Sequence, residues 1–206
     1  MGTRPAQAQQ HVSSEAATAE QRLVEDYGAE RFSTALVPLA PAVSEGRNKA
    51  TLLQTGVGNT GVINQQSFSN LGNQAYVVQA GAANVLGLNQ TGNNNNTYLS
   101  QQGAGNKTDF SQNGQGNSSS LVQRGTDNQL SGSVTGDGNE LNIQQNGASN
   151  RVKSEIRQDN RTYNISQSGY GNTLTQKETT SQSPQGYSVE MRGVGINVVI
   201  EQGRVK

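Results

Sequence analysis

The sequence repeats with a period of eleven residues, and this period constrains the fold more than any other feature of the chain. Each repeat begins with asparagine, and three extra residues separate the second repeat from the third. The asparagines at this position are Asn48, Asn59, Asn73, Asn84, Asn95, Asn106, Asn117, Asn128, Asn139, Asn150 and, after an interruption at Arg161, Asn172. A repeat of this length is typical of one structural unit in a stacked array.

Two further positions of the repeat keep their residue type. Six residues after the first position stands glutamine, at Gln54, Gln65, Gln79, Gln90, Gln101, Gln112, Gln123, Gln145, Gln167 and Gln202. Eight residues after it stands glycine, at Gly56, Gly81, Gly92, Gly103, Gly114, Gly125, Gly136, Gly147 and Gly169. The exceptions at the glutamine position are Val134, Ile156, Glu178 and Met191.

Side chains alternate in character within each unit. The positions two and four after the asparagine are apolar or small, as in Leu141 and Ile143, whereas Asn142 and Gln144 beside them are polar. This period of two predicts a β-strand of about seven residues with one buried face. The recurring sequence Gly-x-Gly-Asn supplies backbone conformations with positive φ, so a turn is predicted after each strand.

A strand-turn unit of this size cannot bury its apolar face alone, so successive units must stack. Two units make one coil, and residues 48–206 therefore predict an all-β, two-sheet β-solenoid of about seven coils. The repeats are regular to residue 149 and irregular over 150–206, where Arg161, Glu178 and an insertion at Pro184 break the pattern. Solenoid ends often depart from the consensus, since an exposed terminal strand pairs readily with other chains.

Stacked amides would allow such a chain to fold with little apolar material. Only 31% of the residues are hydrophobic and 4% are aromatic. Asparagine and glutamine side chains in register can hydrogen-bond to one another up the stack, which satisfies polar groups that are costly to bury. We therefore predict that the asparagines and glutamines of the repeat form the self-assembly ladder and that its glycines form the turns.

Charge and chemistry argue against several classes of protein. The formal net charge is zero, which is untypical of nucleic-acid binders, and there is no cysteine for disulfides, thiolate metal sites or thiol catalysis. The single histidine, His11, lies in the leader. A literal dinucleotide-binding pattern at 56–61 precedes a strand instead of the helix that such a site needs. We therefore expect no enzyme activity, no cofactor and no metal site.

Residues 1–47 differ from the repeats and form a leader. The segment 14–34 is rich in alanine and glutamate, and its apolar residues near helical spacing, Leu23, Val24, Tyr27 and Phe32, predict a short helix. A disordered tail is expected before this helix and a proline linker after it. The stretch 5–8 (PAQA) is similar to the end of a secretory signal, so we expect export, with the signal peptide removed or absent from this chain.

The repeat resembles the curlin repeat, the strand-turn-strand unit of the curli subunits that form bacterial biofilm amyloid. The segments that carry it best are 48–59 (NKATLLQTGVGN), 73–84 (NQAYVVQAGAAN) and 95–106 (NNTYLSQQGAGN). The resemblance implies secretion, cell-surface fibres built from copies of the chain and from other curlin subunits, and adhesion within a biofilm. It also implies the curli secretion and assembly machinery at the outer membrane as a partner.

The curlin family has a major subunit that builds the fibre and a minor subunit that nucleates it. This chain departs from the best-known members in its non-repetitive leader, its larger number of coils and its decayed last units. Its charged carboxyl end, with Arg192, Glu201, Arg204 and Lys206, resembles the minor subunit more closely. We therefore expect a nucleator, with a major fibre subunit as the alternative.

A β-solenoid that binds ice or polysaccharide is an alternative from another functional class. Such a protein needs a regular outward array that matches its target. Here the first outward column varies in type, through Lys49, Thr60, Gln74, Val85, Asn96 and Lys107. The inward columns are the regular ones, so the repetition favours a structural role in stacking.

Overall fold

The computed structural model describes residues 47–179 and 186–203, and the helix predicted over 14–34 lies outside the described residues. Fourteen β-strands follow one another along the described part of the chain. They are β1 (Lys49–Val57), β2 (Thr60–Gln66), β3 (Gln74–Ala82), β4 (Val85–Asn93), β5 (Asn96–Ala104), β6 (Lys107–Gln115), β7 (Ser118–Thr126), β8 (Gln129–Thr135), β9 (Glu140–Ala148), β10 (Arg151–Arg157), β11 (Thr162–Tyr170), β12 (Thr173–Glu178), β13 (Gly186–Val194) and β14 (Asn197–Gln202).

The strands form two parallel sheets of seven strands each. The odd sheet contains β1-β3-β5-β7-β9-β11-β13 in that order, and the even sheet contains β14-β12-β10-β8-β6-β4-β2. The chain therefore crosses from one sheet to the other at every turn, and each pair of successive strands makes one coil. The first coil is β1 with β2, and the seventh coil is β13 with β14. The structure thus confirms the predicted all-β, two-sheet β-solenoid of about seven coils.

Strand pairing places equivalent repeat positions above one another. Gln79 pairs with Gln101 in the next coil, 22 residues later. Gln54 pairs with Gln79 across 25 residues, so the three-residue insertion lies in the connection between β2 and β3 and leaves the register intact. The irregular repeats keep the same register, as the pairing of Gln167 with Met191 shows.

The core lies between the two sheets and is one residue layer deep on each side. It is built from positions two and four of the repeat, as the alternation predicts, and includes Val77, Leu99, Phe110, Leu121, Leu130, Ile143, Val152, Ile165 and Leu174. Buried asparagines and glutamines flank this apolar centre from the second to the sixth coil. The amides therefore belong to the interior and are not a polar surface.

Most strands have nine residues instead of the seven expected, because pairing continues through the glycine position, as between Gly103 and Gly125. Gly103 has a φ of 117°, and a Cβ atom there would lie 2.0 Å from the carbonyl oxygen of Gly125 in the next coil. Only glycine satisfies both constraints. Two residues later the turn needs a φ near 60°, which Gly105 adopts and which Ala83 and Ser149 also adopt in other coils. On the odd sheet the first turn position thus requires glycine, whereas the second does not; on the even sheet Ser67 and Gln158 also occupy the first position.

Candidate functional site

The odd glutamine column is an unbroken run of amides at the sixth repeat position of the odd sheet. In each pair, Nε2 donates a hydrogen bond to Oε1 of the glutamine in the next coil, at 2.6 to 2.9 Å. The members are Gln54, Gln79, Gln101, Gln123, Gln145 and Gln167. The column ends at Met191, whose sulfur lies 3.5 Å from Nε2 of Gln167. Six coils are therefore linked by amide bonds that all point toward the carboxyl end.

The same glutamines also link the two sheets. Nε2 of Gln101 donates to the carbonyl oxygen of Val85 at 3.1 Å, and Nε2 of Gln123 donates to that of Lys107 at 3.1 Å. Val85 and Lys107 belong to the even sheet. Gln101 is fully buried and Gln123 is nearly so, which means that removal of one amide would leave its neighbours unsatisfied at about 1–3 kcal/mol each.

Two asparagine columns stand at the corners of the solenoid, just before the strands. One precedes the even strands (Asn59, Asn84, Asn106, Asn128, Asn150 and Asn172), and the other precedes the odd strands (Asn48, Asn73, Asn95, Asn117 and Asn139). In Asn106, both the backbone N–H and Nδ2 donate to Oδ1 of Asn84 at 3.1 Å. The asparagine bonds therefore point toward the amino end, opposite to the glutamine bonds.

The even glutamine column is broken. Gln65 donates to Gln90 at 2.7 Å and Gln90 donates to Gln112 at 3.0 Å, but Val134, Ile156 and Glu178 occupy the next three coils. The last predicted ladder residue, Gln202, pairs with Glu178 instead of with another glutamine. The structure thus brings three glutamines together on the even sheet and leaves Gln202 apart from them.

The residues that face the even column change with it. Nε2 of Gln90 donates to the Thr97 hydroxyl at 3.0 Å, and Nε2 of Gln112 donates to the Ser119 hydroxyl at 2.7 Å. Each hydroxyl comes seven residues after its glutamine. At the same spacing, Val134 is followed by Leu141 and Ile156 by Tyr163, and all four lie in the apolar core.

This compensation was not predicted from the sequence. Its signal is a correlated change at positions seven residues apart, from an amide with a hydroxyl to an apolar pair. With Val134 and Leu141 both side chains are apolar, so neither needs a hydrogen-bond partner, whereas a hydroxyl at position 141 would lack the glutamine donor that Ser119 has.

Glu178 is a buried carboxylate at the glutamine position of the sixth coil. It is 0% exposed, and its Oε1 accepts a hydrogen bond from the Tyr187 hydroxyl at 2.7 Å. Within the described residues, Oε2 of Glu178, Nε2 of Gln176 and the Tyr163 hydroxyl are buried without a hydrogen-bond partner. Burial raises the pKa of Glu178 above its ordinary value, although the hydrogen bond from Tyr187 opposes this shift. Burial and the nearby Glu178 carboxylate raise the pKa of Tyr163 to about 12.

The first coil exposes residues that interior coils bury. Leu52 is 38% exposed, whereas Val77 and Leu99 at the same repeat position are 0% exposed. Gln54 is exposed, although Gln79 above it is fully buried. Because β1 and β2 lie at the edges of their sheets, the first coil is an open cross-section of the core. Edge strands of this kind pair readily with a strand of another chain.

The seventh coil presents different side chains at the same columns. Met191, 3% exposed, ends the odd glutamine column. Ile196 ends the asparagine column before the even strands, where its backbone N–H donates to Oδ1 of Asn172 at 3.0 Å. Gln202 keeps an amide in the even glutamine column. The two ends of the solenoid are therefore chemically unequal.

Across residues 47–179 and 186–203, no group of three or more histidine, cysteine, aspartate or glutamate side chains could hold a metal ion. The same residues contain no helix that is long and apolar enough to span a membrane. No protein-family model, curated protein or solved structure matches the chain.

Proposed function

We propose that this chain is a structural subunit of extracellular, curli-like amyloid fibres, assembled by end-to-end stacking of solenoids. The structure is an amyloid-like repeat: parallel strands in register, with buried asparagine and glutamine ladders between them. Strand addition at the open first coil would continue both sheets without a change in geometry.

The open first coil is the observation that carries the proposal. Its exposed core residue Leu52 and its exposed ladder residue Gln54 are covered in every interior coil at their equivalent positions. An incoming coil would bury both, and one that carries a glutamine at this column would extend the amide column by one bond. Since these interactions are the ones that already join the seven coils, assembly needs no new chemistry.

The wider role in this proposal follows from the likeness of the repeat to curlin. The chain would be exported with the help of the curli secretion and assembly machinery at the outer membrane and would stay at the cell surface. Fibres of the chain and of other curlin subunits would then serve adhesion and the biofilm matrix. The unequal ends favour a nucleating role over that of a major fibre subunit, and the proposal includes no catalysis, cofactor or nucleic acid.

The test is assembly of the full chain after dilution from denaturant. We expect lag-and-growth kinetics and fibres whose diffraction shows spacings of about 4.8 Å along the fibre and about 10 Å between sheets. A chain that folds but stays monomeric over days at micromolar concentration would contradict the proposal.

A further inference from the structure

We infer that the first coil is the growth face of this subunit and that it fits a different solenoid better than a second copy of this chain. The fitting partner carries a glutamine and an asparagine in its last coil, at the columns that end here in Met191 and Ile196. The inference rests on the proposed function. It adds which end of the solenoid grows and which side chains a partner solenoid must present.

Interior coils show what a coil placed before the first one must offer. Each interior glutamine of the odd column accepts a hydrogen bond from the glutamine of the preceding coil, as Gln101 accepts from Gln79. Each interior asparagine donates its backbone N–H to the preceding Oδ1, and all but Asn73 also donate Nδ2 to it, as Asn84 does to Asn59 at 3.0 Å. By the same pattern, Oε1 of Gln54 calls for an amide donor and the backbone N–H of Asn59 calls for an amide oxygen from the partner's last coil. Nδ2 of Asn59 already donates to the carbonyl oxygens of Thr55 and Gly81.

The chain's own last coil supplies neither group. If a second copy stacked in register, Met191 would lie against Gln54 and Ile196 against Asn59. A thioether has no N–H to donate, and an isoleucine side chain has no oxygen to accept. Gln202 against Gln65 and Gly193 against Gly56 are matched contacts of this junction. A self-junction thus buries polar groups without partners, which weakens it relative to an interior coil.

The free edge of β1 also presents backbone N–H groups to an incoming strand. The N–H of Lys49 donates to the carbonyl of Asn73 in the second coil at 2.8 Å. Because successive residues of a strand point their N–H groups to opposite neighbours, the N–H of Ala50 points to the free edge. Proline at position 50 would remove this donor while leaving the bond of Lys49 in place.

The main experiment replaces, in the full chain, the two residues of the last coil that end the glutamine and asparagine columns. Wild-type seeds are offered monomer of wild type or of M191Q/I196N, which restores both amides. We expect the variant to elongate the seeds at least about tenfold faster, because two hydrogen bonds are gained at each junction. The control variant E190Q/V199N places the same two side-chain types on exposed positions of the same strands and should elongate as wild type does.

A second variant tests which face grows. M191Q/I196N/A50P keeps the completed last coil but lacks the outward donor of the first coil, so it should join a seed once and then stop its growth at substoichiometric amounts. The single variant M191Q should show a smaller gain and covers the case in which the double variant folds poorly.

The inference falls if M191Q/I196N elongates the seeds no faster than wild type, or if the A50P variant fails to stop growth. Wild-type fibres would still form in both of these cases, and the proposed function would stand. Failure of the proposed function is a separate result, in which the wild-type chain forms no fibres at all.

Discussion

The odd and even sheets are built from the same repeat, yet only the odd sheet keeps a long unbroken glutamine column and a full glycine column, although its asparagine column is interrupted at Arg161. Its glutamines run without a break from Gln54 to Gln167, and its glycine position is glycine in all seven strands. On the even sheet the glutamines stop at Gln112, and Gln158 replaces glycine in the fifth coil. Both sheets nevertheless hold seven strands in parallel register.

This difference shows which sequence features define the fold and which only stabilise its interior. Strand alternation and turns are common to both sheets, so they define the solenoid. The amide ladder is one way to fill the interior, and an apolar pair such as Val134 with Leu141 is another. A buried hydrogen-bonded amide contributes about 1 kcal/mol net, so a paired exchange for apolar groups of similar size can be nearly neutral.

The largest effect is expected from the glycine column of the odd sheet. Gly103→Ala would place a methyl group 2.0 Å from the carbonyl oxygen of Gly125 and would strain a φ of 117°. Since backbone atoms cannot yield without separating β5 from β7, we expect a loss of about 4 kcal/mol or more in unfolding free energy. Urea unfolding with hydrogen exchange of β5 and β7 measures it.

Gly116→Ala is the matched control for that change. Gly116 has a φ of 65°, and no atom lies within 4 Å of the position that an added methyl group would take. Ala83 already adopts this backbone conformation in another turn. The expected loss is about 1 kcal/mol. Equal losses in the two variants would show that strand spacing does not require the glycine column.

An intermediate effect is expected when a glutamine of the odd column is replaced by valine, or a valine of the even column by glutamine. Gln123→Val removes the amide that joins Gln101 to Gln145 and should cost about 2–4 kcal/mol. Val134→Gln restores the consensus residue on the even sheet but places an amide against Leu141, and should cost about 1–3 kcal/mol.

The double variant V134Q/L141S restores the hydroxyl seven residues after the glutamine, as in Gln112 with Ser119. We expect it to recover at least half of the loss caused by V134Q alone. The four-variant cycle, measured by urea unfolding, gives the coupling energy directly. Additive losses in V134Q and L141S would contradict the proposed compensation.

The regular part of the fold was predictable because one period determines it. Asn, Gln and Gly at fixed spacing give the strand, the buried face and the turn. The odd glutamines stack where the repeat places them, whereas Gln202 pairs with Glu178. The predicted length of seven residues holds for β2, β8 and β10 but is two residues short for nine strands, because pairing continues through a glycine with positive φ, as between Gly103 and Gly125.

The departures from the repeat were not predictable in the same way. Val134 and Ile156 are only exceptions at the glutamine position of the sequence, because a one-dimensional period does not show which residue lies across the core. Their partners Leu141 and Tyr163 lie on the odd sheet and share one core with them, and this placement depends on how the two sheets face each other. The stacking of Tyr76 on Tyr98, with ring centroids 5.9 Å apart, likewise depends on the coil length and not on local sequence.

The smallest effect is expected at Glu178, where the even column carries a charge that the odd column never does. Burial raises the pKa of this carboxyl, so the folded chain holds the proton more tightly than the unfolded chain does. The contribution of Glu178 to stability is therefore fully present below the ordinary glutamate range and is lost as pH rises through the raised pKa. The groups that face it, Tyr187, Tyr163 and Gln176, supply no positive charge.

Glu178→Gln should remove this dependence, because the amide stays neutral and can still accept the Tyr187 hydrogen bond. We expect E178Q to stabilise β11–β14 by about 1–2 kcal/mol at pH 8 and to leave them nearly unchanged at pH 4, as measured by hydrogen exchange. E201Q removes a carboxylate from an exposed position of β14 and controls for the loss of one charge. If E178Q stabilised the last coils equally at both pH values, its effect would come from the amide as a ladder member. In that case the even column would require a glutamine in the sixth coil as the odd column does.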